Sequence, residues 1–248
     1  MPTTAEEQYL LELINEARLN PLGNAKRYIS SFDPLTSADP RITEAMTYFG
    51  VNGQALYSAL SALKAVGPLA WSDTLATAAE RHSAAMIAAN EQSHQVKGEA
   101  DLAGRATSAG YTGYSRLGEN VYAYAQNLPY AHAGFMVDWG DGPNGMQSPA
   151  GHRDNIMSAA FTEVGIDITA ERDAKTDVGP YVVTQDFGAR GKLFVTGVAY
   201  SDSDRNGFYT IGEGLSGLVI SAGSGYATSS VSGGYLLAMT ACAQTLTL

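Results

Sequence analysis

A chain of 248 residues is long enough for one large domain, or for one domain plus a small second one, and its 45% hydrophobic content indicates a folded core. With 25 acidic and 15 basic side chains the net charge is −10 and the pI is near 4.8, which removes the electrostatic footprint needed to bind nucleic acid or anionic lipid headgroups. The single cysteine, Cys242, excludes an intramolecular disulfide, and no apolar run approaches the roughly 18 residues that span a bilayer.

The opening "MPTTAEEQYL" has no basic region followed by an apolar stretch, so it reads as mature sequence, or as sequence exported by some other signal. Residues 6–18 then place Tyr9, Leu10, Leu13, Ile14 and Ala17 at helical spacing, with Glu6, Glu7, Glu12 and Glu16 opposite, and this predicts an amphipathic helix. Two short helical patterns follow between residues 20 and 66, one around Met46 and Phe49, the other using Leu56, Leu60 and Leu63; neither carries a functional signal.

"PLAWSDTLATAAERHSAAMIAAN", residues 68–90, is the strongest helix, with Ser72 or Asp73 as N-cap and a buried stripe of Leu75, Ala79, His82 and Met86. The next 27 residues, from Glu91 to Leu117, read as loose chain. "RLGENVYAY", residues 116–124, is an apolar, tyrosine-bearing run of either helix or strand, and it sets Glu119 between a glycine and an asparagine. Residues 130–139 predict a helix with His132 on its surface, "GDGPNGMQSPAG" a loop, and "HRDNIM" a helical turn opened by His152. "TEVGIDITA" and "YVVTQDFG" alternate as strands do.

Composition shifts near residue 190. Residues 191–248 contain no His or Trp and only five charged residues, and their short runs alternate with Gly/Ser turns, the pattern of a small antiparallel sandwich. The predicted division is therefore 1–190 and 191–248, and the terminal "AQTLTL" reads as a strand cut at its end. Within the second part "DSDRNGFYTIGE" matches the calcium-loop spacing D-x-[DN]-x-[DN]-G-x5-E. Asp202, Asp204 and Asn206 would offer side-chain oxygens, Phe208 its carbonyl and Glu213 both carboxylate oxygens. Three carboxylates so close repel one another unless a cation sits among them, so calcium is expected, although the flanks are strand-like and not those of an EF-hand.

A second set of polar residues, His82, His94, Glu119, His152 and Glu163, is scattered along the first 190 residues. Two imidazoles and a carboxylate can hold a divalent transition metal or polarise a ligand, but no pair has the i, i+4 spacing of a helical metal site. On its apolar stripe, His82 also reads as an ordinary core histidine.

Six blocks, "INEAR", "PLAWSDTLATAAERHSAAM", "SH", "LGENVYAY", "SPAGHRDNIM…FTEVGIDI" and "VTQDFG", occur in an order that resembles the CAP superfamily of cysteine-rich secretory, antigen 5 and pathogenesis-related proteins, in its bacterial SCP-like branch. The resemblance covers residues 6–188 and implies an α+β fold, an α-β-α sandwich with an open cleft. It implies His94, Glu119 and His152 as cleft residues, with His94 and His152 as zinc ligands and with His82 and Glu163 as supporting residues. The family's second glutamate, found after a tryptophan, has no clean counterpart; Asp141 after Trp139 is the nearest stand-in. The segment from Thr196 to Tyr235 looks like a prealbumin-like or Sdr-type B repeat of secreted and surface proteins, which implies a secreted or cell-surface location and millimolar calcium.

Three functions follow as expectations. The first is a secreted module whose cleft takes an extracellular small molecule, lipid, sterol, peptide or glycan. The second is a hydrolase in which Glu119 or a histidine activates water, since there is no G-x-S-x-G, no H-E-x-x-H and no cysteine in the CAP-like part. The third is an adhesin in which only the calcium-stiffened sandwich matters.

Overall fold

The structure is a computed structural model that describes residues 4–239 and 246–247; Cys242 and most of the terminal run lie outside the described residues. Helix α1 (Ala5–Leu19) begins in a capping box: the Thr4 hydroxyl accepts from the Glu7 N–H and the Glu7 carboxylate accepts from the Thr4 N–H. Its buried face is wider than the predicted stripe, because Gln8, Asn15 and Arg18 are buried with the leucines. Arg18 donates to the main-chain carbonyls of Gly67, Ile156, Ser158 and Phe161, so one guanidinium ties α1 to two distant loops. Burial pushes that guanidinium down to about 10.

A short helix α2 (Pro21–Ala25), a two-stranded hairpin β1 (Ser31–Phe32) and β2 (Leu35–Thr36), α3 (Pro40–Tyr48) and α4 (Gly53–Ala62) follow, and Met46, Leu56 and Leu60 are buried as the periodicity predicts. The main sheet has the order β3-β5-β6-β4, built from β3 (Ala70–Trp71), β5 (Glu163–Ala170), β6 (Tyr181–Ala189) and β4 (Arg116–Ala125). The pair β3 and β5 is parallel, the others are antiparallel, and β4 is an edge strand. "RLGENVYAY" is thus a strand, which fits its β-branched and aromatic content.

The two faces of this sheet differ. One face presents Val164, Ile166, Val183 and Phe187 to the large core that contains Leu10, Leu13 and Ile14 of α1. The other carries α5 (Asp73–Ala89), capped by Ser72 as predicted, whose His82 and Ser83 are fully buried. The approach is close: a Cβ on Gly165 would lie 1.9 Å from the Ala76 nitrogen, so only glycine lets α5 rest directly on β5. Helix α6 (Leu102–Ser108), capped by Asp101, adds to this layer within the stretch that reads as loose chain.

On the apolar side, α7 (Leu128–Ala133) continues as a π-turn over Gly134–Asp138, and α8 (Gly151–Met157) lies near β4. His132 is not on a helix surface. It is fully buried, its Nε2 lies 2.8 Å from Asn24 Oδ1, its ring sits edge-on to Tyr28, and burial pushes its imidazole down to about 3. The expectation failed because its partner lies 108 residues away along the chain.

After residue 190 the strands form separate small antiparallel sheets, β7 (Leu193–Val198) with β10 (Gly234–Met239), and β8 (Val219–Ala222) with β9 (Gly225–Thr228) and β11 (Leu246–Thr247). The mixed α/β arrangement of residues 5–189 is the architecture that the sequence blocks imply.

Candidate functional site

Strand alternation places Glu119 on the α5 side of β4, directly opposite Asp186 of β6. Glu119 is 8% exposed, and its carboxylate meets three cations or potential cations: His94 Nδ1 at 2.8 Å, His82 Nε2 at 3.8 Å, and the Arg105 guanidinium supplied by α6. Burial alone would raise the Glu119 carboxyl, but the His94 hydrogen bond and the charges of His82 and Arg105 outweigh it, so it sits below the usual carboxylate range. His82 is held on its other nitrogen by Glu99 at 2.9 Å, and its Nε2 also lies 2.9 Å from the Ser93 carbonyl.

Asp186 is the residue that sequence reasoning missed. It is fully buried, and among the described residues no N–H or O–H donor reaches either of its oxygens. Burial and then repulsion from Glu119 raise its carboxyl well above the usual range.

The next residue on β4, Asn120, faces the opposite side and donates to the His152 carbonyl and to Gln185 Oε1. There His152 opens α8 with its Nδ1 2.7 Å from Asp138 Oδ1, while the other Asp138 oxygen accepts the His152 N–H at 3.0 Å. Asp138 is fully buried, ends the π-turn and adopts φ +57°, a conformation that aspartate tolerates better than most residues. His94 with Glu119 and His152 with Asp138 therefore form two pairs on opposite faces of one edge strand.

Beside His152 lies a cavity of about 630 Å³ that takes Val121 from one face of β4 and Tyr122 from the other, with Gln92, Phe135 and Trp139 in its wall; His94 and Glu119 do not line it. Its floor is aromatic: Tyr122 stacks on Tyr130 at 5.8 Å, Tyr130 tilts against Trp139 at 5.3 Å, and Phe135 contacts both Tyr122 and His152. The cysteine-rich secretory protein family, CAP, matches residues 11–187, which is most of the chain. The chain belongs to the CAP family.

A solved structure with likeness to this CAP chain is that of an extracellular protein containing a SCP domain from Bacillus anthracis str. Ames, at 22% identity, with 59% of this chain and 41% of that chain covered and a TM-score of 0.39. This chain thus spans about two-fifths of that protein's length. No curated protein matches significantly.

The other expected site residues fall in three places. Asp141 is exposed on the rim of the cavity in the CAP part. Glu163 is buried away from Glu119's partners, where Tyr111 Oη donates to it at 3.0 Å and Arg190 forms a two-pronged ion pair with it. Asp202, Asp204 and Glu213 come together: among the described residues they are the group of carboxylate and imidazole ligands whose atoms all lie within 4.8 Å. Glu213, 9% exposed, accepts the N–H groups of Ser203 at 2.7 Å and Thr210 at 3.0 Å, one on each oxygen, and Gly207 turns the loop at φ +71°. Asn206 donates to Asp204 and accepts the Phe208 N–H, and the Phe208 ring packs against Tyr9 and beneath the Arg27 guanidinium.

Asp186, Arg105, Glu99 and Asp138 carried one sequence signal between them. "TQD" sits in the middle of an otherwise apolar strand, and all three of its residues are fully buried.

Proposed function

We propose that this CAP-family chain is a secreted or cell-surface module that captures an extracellular ligand in the cavity at the rim of β4. The carrying observation is the cavity itself: about 630 Å³, aromatic at its floor, with Gln92, Asp141, Gln147, Ser148 and His152 around it, as ligand sites are composed. Zinc is proposed on His152, which Asp138 holds by Nδ1 so that Nε2 is left for a metal, and separately on His94 beside Glu119; the two imidazoles stand on opposite faces of β4 and do not converge on one ion. The segment after residue 190 is read as a separate prealbumin-like β-sandwich that spaces or anchors the first, with calcium on Asp202, Asp204, Asn206, Phe208 and Glu213. The convergence of three carboxylates supports that ion.

The sequence has two tryptophans, so Trp71→Phe leaves Trp139 as the reporter inside the cavity. Titration of that variant with oleate, cholesterol, a short peptide and a neutral oligosaccharide is expected to shift Trp139 emission with at least one of them; silence with all four overturns the capture reading. In the same preparation zinc uptake is expected to vanish in His94→Ala/His152→Ala, and calcium is expected to raise the melting temperature of the wild type but not of Glu213→Gln.

A further inference from the structure

Residues 20–66 carry no functional signal in the sequence, yet α3 closes one end of the cavity. Phe49 and Tyr130 line both the 630 Å³ hollow and a second hollow of about 330 Å³ over α3, where Arg41, Glu44, Tyr48 and Gln126 stand. The two hollows share two aromatic rings, Phe49 and Tyr130, in their walls. We propose that they form one groove whose occupant is a neutral, linear oligosaccharide. This rests on the capture reading and names its ligand class.

Five observations select that class over the alternatives. Aromatic rings are spaced along the whole groove, and Tyr124 and Tyr48 are 43% and 83% exposed, so apolar ring faces stand in water where the apolar faces of pyranose rings can cover them. Between the rings come carboxamides and carboxylates, Gln92, Gln126, Gln147, Asp141 and Glu44, groups that accept from hydroxyls and in the amides also donate to them. A chain of net charge −10, whose groove cation Arg41 is paired with Asp39 at 2.8 Å, repels acidic glycans.

A peptide would bind most simply as an added strand on β4, but three main-chain groups of that strand are already taken. The Ala123 N–H donates to Gln92 Oε1 at 2.8 Å, the Ala123 carbonyl accepts the Gly179 N–H at 2.7 Å, and the Glu119 carbonyl accepts from Asn155 at 3.1 Å. An acyl chain or sterol is favoured by an enclosed apolar lining, and here polar groups interrupt the aromatic wall in both hollows.

The test uses the Trp71→Phe background and reads Trp139 emission against cellohexaose, chitohexaose and mannohexaose, each with its disaccharide, and against oleate and cholesterol. At least one hexasaccharide is expected to bind. Tyr124→Ala should weaken it about fivefold, and Tyr48→Ala should weaken the hexasaccharide by a similar factor while leaving the disaccharide unchanged. Both tyrosines are exposed, so neither change threatens the fold, and Tyr226→Ala, 73% exposed on β9, should leave binding intact. Hexasaccharide binding that survives Tyr48→Ala overturns the joined groove. A response to oleate or cholesterol and to no sugar overturns the oligosaccharide but keeps the capture reading, whereas no response to any probe overturns both.

Discussion

One face of the β3-β5-β6-β4 sheet packs Val164, Ile166, Val183 and Phe187 against α1, while the other buries Glu119, Asp186, Glu163 and Asp167 beneath α5 and its neighbours. Both faces are equally dry, but they are held together by different physics. The apolar face is stabilised in proportion to the area it removes from water, and small losses there are graded. The charged face is stable only as a balanced set, because a buried carboxylate left without its cation loses the interactions that replaced water. Charge can be held there in a fixed orientation only if other charges hold it, as His94, His82 and Arg105 hold Glu119.

The largest effect should come from breaking that balance. Arg105→Met leaves Glu119 and Glu99 without the guanidinium that contacts both, and it is expected to cost about 3–5 kcal/mol in denaturant unfolding. Adding Glu119→Gln should restore part of the loss, because the uncompensated charge is then gone; a double variant no more stable than the single one would refute the balanced-set account. On the apolar face, Ile166→Val removes one buried methylene and should cost only about 0.5–1.5 kcal/mol, with no dependence on pH.

The smallest effect at low pH, and the one that most sharpens the contrast, is Asp186→Asn. The Asp186 carboxyl is raised in the folded state, so its stabilising contribution is complete below the unfolded carboxylate pKa and is lost as pH rises toward the folded value. The asparagine variant should match the wild type near pH 3 and become progressively the more stable of the two above it, as read from melting temperatures across the range. Parallel curves would mean that Asp186 ionises freely.

Much of the architecture was legible because periodicity reports burial directly. The stripe of α5, the Ser72 cap and the alternation of β5 and β6 need no distant partner to be recognised. What was hidden depends on partners far along the chain. Helix α6 has seven residues, too few for a periodic signal, and so the Arg105 it carries could not be placed against Glu119. Glu163 reads like Glu119 in sequence, and only the meeting of Tyr111 and Arg190 shows that it belongs to a separate ion pair. His94 and Glu119 were joined by resemblance and do meet, whereas His152 faces Asp138, a residue with no mark in the sequence beyond its place before a tryptophan.

The thickness of β4 is what separates the His94 and His152 pairs, one anchored in the layer of α5 and α6, the other at the start of α8. A molecule that touched both would act as a buckle across the sheet's rim, fastening together the two layers that flank the strands. Its grip would register in the cooperative melting of the whole stack, and loosening either layer would let it go.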